Sequence, residues 1–184
     1  MSPSYALHRA RLHELPGHLE RWRARFEAQS PRRVYRDPGW VTELYRHPQA
    51  KVTREDLHVY FLEQDGALAG VWPLVLVRWP LECLFGEITW ARLPMRRLCP
   101  PFSDADLPGD PRALDTVFEA LARGAGADYD VLFFEDLLLD STLWRYLHES
   151  PLVRRSFVLY APEPPREHSF IDMGSSFDDY LGKF

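Results

Sequence analysis

The spacing of hydrophobic positions changes several times along the chain, and each change marks an expected element. Over 16–29, Leu19, Trp22 and Phe26 recur at i, i+3 and i+7 with charges between them, the pattern of an amphipathic helix. Asp37 followed by Pro38 reads as an N-cap with proline in the first turn. It opens a second, short helix whose apolar face is Trp40, Leu44 and Tyr45, ending before Pro48. From Leu57 the period falls to two. Leu57, Val59 and Phe61 alternate with His58, Tyr60 and Leu62, and Gln64-Asp65-Gly66 is a hairpin turn signal. The return strand, 67–77, is richer in apolar residues, so burial on both faces is expected. Pro73 supplies no ladder donor, which predicts a bulge or break there. A third strand is expected over 81–89, while 93–110 carries no clear period.

Asp110-Pro111 opens the strongest helical pattern, with Leu114, Val117, Phe118 and Leu121 on one face and Gly124 and Gly126 at its end. Val131-Leu132-Phe133-Phe134 then reads as a buried strand whose exit carries two carboxylates, Glu135 and Asp136. Ser141 caps a short helix that turns Leu143, Trp144 and Leu147 inward. Strands are expected over 156–160 and 169–172, joined by a stiff proline segment, 162–165. A last helix, 177–184, starts from Ser175 or Ser176 and places Phe177, Tyr180, Leu181 and Phe184 on one wide apolar face. A helix this short needs something to pack on, yet the sequence stops at Phe184 with no cap or polar tail. A truncated product, its missing half following directly, is the expectation.

Composition narrows the classes. At 184 residues the chain predicts one domain or two small ones. Its 46% hydrophobic and 27% charged residues exclude a disordered chain, a fibre and a disulfide scaffold. A net charge of −5 makes nucleic acid and anionic membrane poor partners. Arginine supplies nearly all the positive charge, Lys51 and Lys183 being the only lysines. No run approaches the roughly 20 apolar residues of a bilayer span, and the first residues lack the apolar core of a signal peptide. A soluble, cytoplasmic protein without membrane insertion is expected. Cys83 and Cys99 are too few for a structural zinc site. His8, His13 and His18, five apart, do not stack on a helix face as paired metal ligands do. There is no Gly-x-Ser-x-Gly elbow to support a hydrolase.

In this order, the segments resemble the N-terminal half of GNAT-superfamily N-acyltransferases of the CelD/BcsL type, which are related to the Fem-type aminoacyl transferases. The resemblance rests on a helix centred on Trp22, then Pro38-Gly39-Trp40, then the hairpin from Leu57 to Gly66 and on to Trp72-Pro73-Leu74. It continues through Asp128-Tyr129-Asp130-Val131-Leu132, the helix after Ser141, and Phe177-Asp178-Asp179-Tyr180-Leu181. It implies an α+β fold, GNAT-like, with a mostly antiparallel sheet flanked by helices. Residues 1–172 would form the N-terminal domain, and 173–184 would begin a linking helix into a missing C-terminal domain that binds acyl-CoA.

The function implied is the acceptor side of a catalyst that moves an acyl group from acyl-CoA to an amine, with this chain inactive alone. Its partner would be the missing lobe or a second copy. GNAT folds meet the CoA pyrophosphate with an Arg/Gln-x-x-Gly-x-Gly/Ala turn at a helix N-terminus. The nearest string here, Arg123-Gly124-Ala125-Gly126-Ala127-Asp128, follows a helix and ends on an anion. It reads as a helix end, so no cofactor is expected on this chain, while acetyl-CoA or another acyl-CoA is implied for the complete protein. Glu135 and Asp136, with Trp72 and Trp90, are the candidates for lining the acceptor cleft. The rival reading is a non-catalytic module for protein interaction or dimerisation, built on the aromatic patches and the last helix.

Overall fold

The computed structural model describes residues 3–29, 36–46, 57–101, 105–135 and 137–161. Its centre is a five-stranded sheet in the order β1-β2-β3-β4-β5. The strands are β1 (Tyr5–Arg11), β2 (Leu57–Gln64), β3 (Ala67–Phe85), β4 (Ile88–Cys99) and β5 (Val131–Leu132). Pairing is antiparallel except between β4 and β5, where Arg97 and Leu98 face Val131 and Leu132 in parallel. The helices are α1 (Leu19–Glu27), α2 (Pro38–Arg46), α3 (Pro111–Gly124), α4 (Thr142–Glu149) and α5 (Pro151–Ser156).

Around its middle the sheet is covered on both faces, so β2 and residues 70–75 of β3 are buried on each side. On one face Tyr60, Leu62, Trp72, Leu74 and Leu98 pack against Leu114, Val117, Phe118 and Leu121 of α3 and against α4 and α5. On the other, Val59, Phe61, Val71 and Val75 pack with Trp22 of α1 and Val41 of α2. The double burial expected over 67–77 holds for its middle, 70–75. Asp65 and Gly66, at φ 50° and 85°, make the tight turn between β2 and β3.

Several sequence expectations are corrected. β1 was not anticipated: its residues alternate with arginine and histidine, and only Ala10 is fully buried. β3 runs straight through Pro73, which sits opposite Val59. The ring costs nothing there, because Val71 sends its N–H to Asp106 O on the open edge and Pro73 shares that orientation beyond the end of β4. The bulges lie instead at Leu62/Glu63 and Cys83/Leu84. Residues 81–89 are the tip of one long hairpin, and 93–99, expected to be irregular, complete β4. On α2, Trp40 is exposed while Val41 and Thr42 are buried. Ser156 ends α5, and 157–160 forms no strand. The strand expected over 169–172 and the helix over 177–184 lie outside the described residues.

The connection from β4 to α3 is tied down by charge. Arg25 of α1 grips Asp106 with both ends of its guanidinium, at 2.7 and 3.0 Å. Gly70 allows that approach: a Cβ there would lie 2.8 Å from Asp106 O. Among the described residues no helix is long and apolar enough to cross a membrane, and no group of three His, Cys, Asp or Glu could hold a metal.

Candidate functional site

Among the described residues, those expected to line an acceptor cleft, Trp72, Trp90 and Glu135, lie in unlike surroundings. Trp72 is 1% exposed, its ring stacked on Phe134 at 5.9 Å and tilted against Phe118 at 6.1 Å. It is core, and its Nε1 is buried with no hydrogen-bond partner. Trp90 is 70% exposed and is the extra residue of the bulge near the tip of the β3–β4 hairpin. Glu135 is exposed just past β5, and Asp136 lies outside the described residues.

What does converge at the exit of β4 and β5 is a stack around Arg97. Its guanidinium carbon lies 4.8 Å from the Trp79 ring centre and 4.4 Å from that of Phe133, within the range of cation–π attraction. Its Nε is buried without a partner. Two residues on, Cys99 Sγ lies 3.6 Å from Val75 O. Burial pushes the Cys99 thiol up, Arg97 pulls it back, and the Glu135 carboxylate adds to the rise. Glu135, Arg97 and Cys99 therefore share one electrostatic neighbourhood.

A second concavity, of about 270 Å³, lies beneath the C-terminal end of α3. Leu7, Leu76, Leu98 and Ala120 form its apolar wall, and Arg9, His58, Tyr60, Arg123, Asp128 and Tyr129 its polar one. Arg9 Nη1 meets Asp128 Oδ2 at 3.0 Å. Burial raises the Tyr60 hydroxyl, against the pull of Arg9. The Tyr129 hydroxyl donates to Leu121 O, and burial lifts it well above the ordinary tyrosine range.

The loop that forms this rim is held by Arg96. Its Nη2 lies 2.9 Å from Asp130 Oδ1 and 2.8 Å from Gly126 O, its Nε 3.3 Å from Asp130 Oδ2, and its Nη1 donates to Ala127 O. Asp130 is held below the usual carboxylate range by that side chain and by the Arg96 backbone N–H. None of these partners was anticipated, since they come from β1, β4 and the loop after α3. The carboxylates at Asp128 and Asp130 beside a glycine pair were the one visible hint.

The string 123–128 is the helix end it was expected to be. Gly126 takes φ 80°, its N–H donates to Tyr129 O, and the Asp128 N–H donates to Gly124 O. Those donors are spent within the loop. At the other end of α3 the helix N-terminus is closed by its own carboxylate: Asp110 accepts from Arg112 N at 3.0 Å and from the Tyr5 hydroxyl at 2.8 Å. The N-termini of α2, α4 and α5 are capped in the same manner by Asp37, Ser141 and Ser150.

Comparison with solved structures settles the architecture. An aminoglycoside N-acetyltransferase AAC(6')-Iy in complex with CoA superposes with a TM-score of 0.50 over 91% of this chain and 97% of its own, at 14% identity. The fold is that of the GNAT acetyltransferases. A predicted acetyltransferase with acetyl-CoA from Clostridium acetobutylicum (TM-score 0.45, 9% identity, 90% and 96% covered) is also similar. So is an integron cassette protein from the mobile metagenome of V. cholerae (0.45, 9%, 98% and 99%). No protein-family model matches the sequence, and no curated protein matches it. Because the match spans nearly all of the GNAT neighbour, it lends no support to a severed or inactive piece.

The GNAT fold implies acyl-CoA, and neither end of α3 fits its pyrophosphate. A phosphate needs free N–H groups at a helix N-terminus or in a glycine turn. Here a carboxylate occupies the start of α3, and the glycine turn is hydrogen-bonded to itself and faces Asp128. An anion brought to either place meets like charge.

Proposed function

We propose that this chain supplies the acceptor side of a GNAT-type N-acyltransferase, the complete catalyst moving an acyl group from acyl-CoA to an amine. The observation that carries this reading is the Asp110 carboxylate on the α3 N-terminus, accepting from Arg112 N and from the Tyr5 hydroxyl, within a GNAT fold. The donor is then held by another lobe or chain, and this domain positions the amine. On this reading Glu135, an exposed carboxylate whose charge reaches Cys99, would be the acceptor contact that meets an ammonium group. Amine transfer asks little covalent help of a protein, since a deprotonated, well-placed amine attacks a thioester directly.

Calorimetric titration of the isolated chain with acetyl-CoA tests this assignment. No saturable heat is expected. Saturable binding overturns it and favours a second reading, in which this chain itself transfers an acetyl group from acetyl-CoA. That reading draws on the near-complete match to an acetyltransferase solved with CoA.

A further inference from the structure

Beyond Val75 and Cys99 the sheet narrows to a two-stranded arm. β2 begins opposite Val75, and β5 pairs only with Arg97 and Leu98, so farther out neither edge of the β3–β4 hairpin pairs with another strand among the described residues. Its two faces differ completely. The period of two puts Trp79, Leu81 and Phe85 on one side, and the register sets Met95, Leu93 and Ile88 opposite them. The other side carries Arg78, Glu82, Arg92 and Arg96, with Arg92 Nε 3.0 Å from Glu82 Oε1. The apolar side continues the core face of Val59, Phe61, Val71 and Val75 outward, past the helices that cover it.

An isolated two-stranded ribbon is marginal in water, and one with a bare apolar face is more so. Yet Trp79 is 56% exposed, Ile88 70% and Phe85 82%. The face presents roughly 600–800 Å² of apolar surface, close to one partner's share of a standard interface. Its inner end carries one charge, the Arg97 guanidinium over the Trp79 ring, while Leu81, Phe85, Ile88 and Leu93 farther out are uncharged, so a second copy laid across that outer part by a two-fold axis brings no like charges together. Such an interface would have the apolar character of homodimers rather than of transient complexes.

We propose that the apolar face of this arm is a dimer interface that takes a second copy of the chain. The proposal stands independently of the acyl-transfer reading: it concerns assembly, and titration with acetyl-CoA does not touch it. Light scattering on the eluting full chain at micromolar concentration is expected to give twice the 21.5 kDa chain mass. Leu81→Glu combined with Leu93→Glu is expected to give the single-chain mass with cooperative melting retained, whereas Glu82→Gln, on the opposite face, stays paired. A single-chain mass for the unaltered protein, or a pair that survives the double substitution, overturns it. Hydrogen exchange of the unaltered protein provides a check that needs no variant. Arm amides should lose protection on dilution while α3 amides keep theirs, and arm exchange independent of concentration refutes the interface.

Discussion

The Tyr5 hydroxyl donates to Asp110 Oδ2 at 2.8 Å, joining the first strand to the start of α3 across 105 residues of chain. The bond fixes in place the carboxylate that caps the α3 N-terminus, which also accepts from Arg112 N. It also gives β1, otherwise thinly buried, a fixed attachment to the helical layer.

That bond has a signature in acid. Asp110 is held below the usual carboxylate range by the Arg112 backbone N–H and then by the Tyr5 hydroxyl. A depressed carboxylate adds stability that is fully present above its unfolded value, near pH ~4, and is lost as pH falls through its lower folded value. Melting temperatures followed into acid should therefore fall more steeply for the unaltered protein than for Tyr5→Phe, with the two converging at the lowest pH. Parallel curves would show that the contact does not couple to titration.

The core makes a contrast between two aromatic residues. Phe118 is fully buried against Trp72, Tyr146 and Phe157, so Phe118→Ala should cost about 3–5 kcal/mol. Trp72 is as deeply buried but carries an unpaired Nε1–H, and a buried donor without a partner costs ~1–3 kcal/mol. Trp72→Phe removes that group along with part of the ring, and the losses and gains should cancel to within about 1 kcal/mol in denaturant unfolding. A loss as large as that of Phe118→Ala would mean the indole N–H is satisfied in solution.

Arg96 fastens the loop after α3 through Asp130, Gly126 and Ala127 at once. Lysine keeps the charge but lacks the planar fork that reaches several acceptors together. Arg96→Lys should speed amide exchange at Gly126 and Asp128 several-fold while leaving α3 protection unchanged. Equal protection in both proteins would reduce the cluster to an exposed ion pair of little consequence.

The elements that could be read from the sequence are those whose packing is local in pattern. The α3 face of Leu114, Val117, Phe118 and Leu121, its Asp110 cap, the Asp65-Gly66 turn and the double burial in the middle of β3 all follow from period and turn chemistry. The misses share a different cause. β1 gives Tyr5 and Leu7 to one core cluster and Ala10 to the other while arginine and histidine fill most of its remaining positions, so no alternation stands out. The arm hides its period because prolines and charges fill one side, and its apolar side has nothing within the described fold to cover it. Trp72 belonged to the core because its neighbours, Phe118 and Phe134, arrive from distant segments. The Arg96 and Arg97 environments likewise depend on which strand lies beside β4, which no local pattern fixes.

Cys99 offers the sharpest probe of the β4–β5 exit. Burial raises its thiol, Arg97 opposes that rise, and Glu135 reinforces it, so at neutral pH the side chain stays a thiol. Only the thiolate reacts with alkylating reagents. In a Cys83→Ser background, iodoacetamide should label Cys99 slowly at neutral pH, with the rate climbing only above the ordinary thiol range. Removing the cation with Arg97→Met should slow labelling further, and removing the carboxylate with Glu135→Gln should speed it. The opposite directions matter more than either rate, because altered access alone would move both variants the same way. If they do move together, Arg97 and Glu135 do not act on Cys99 through charge, and Glu135 loses the electrostatic placement on which its role toward an amine depends.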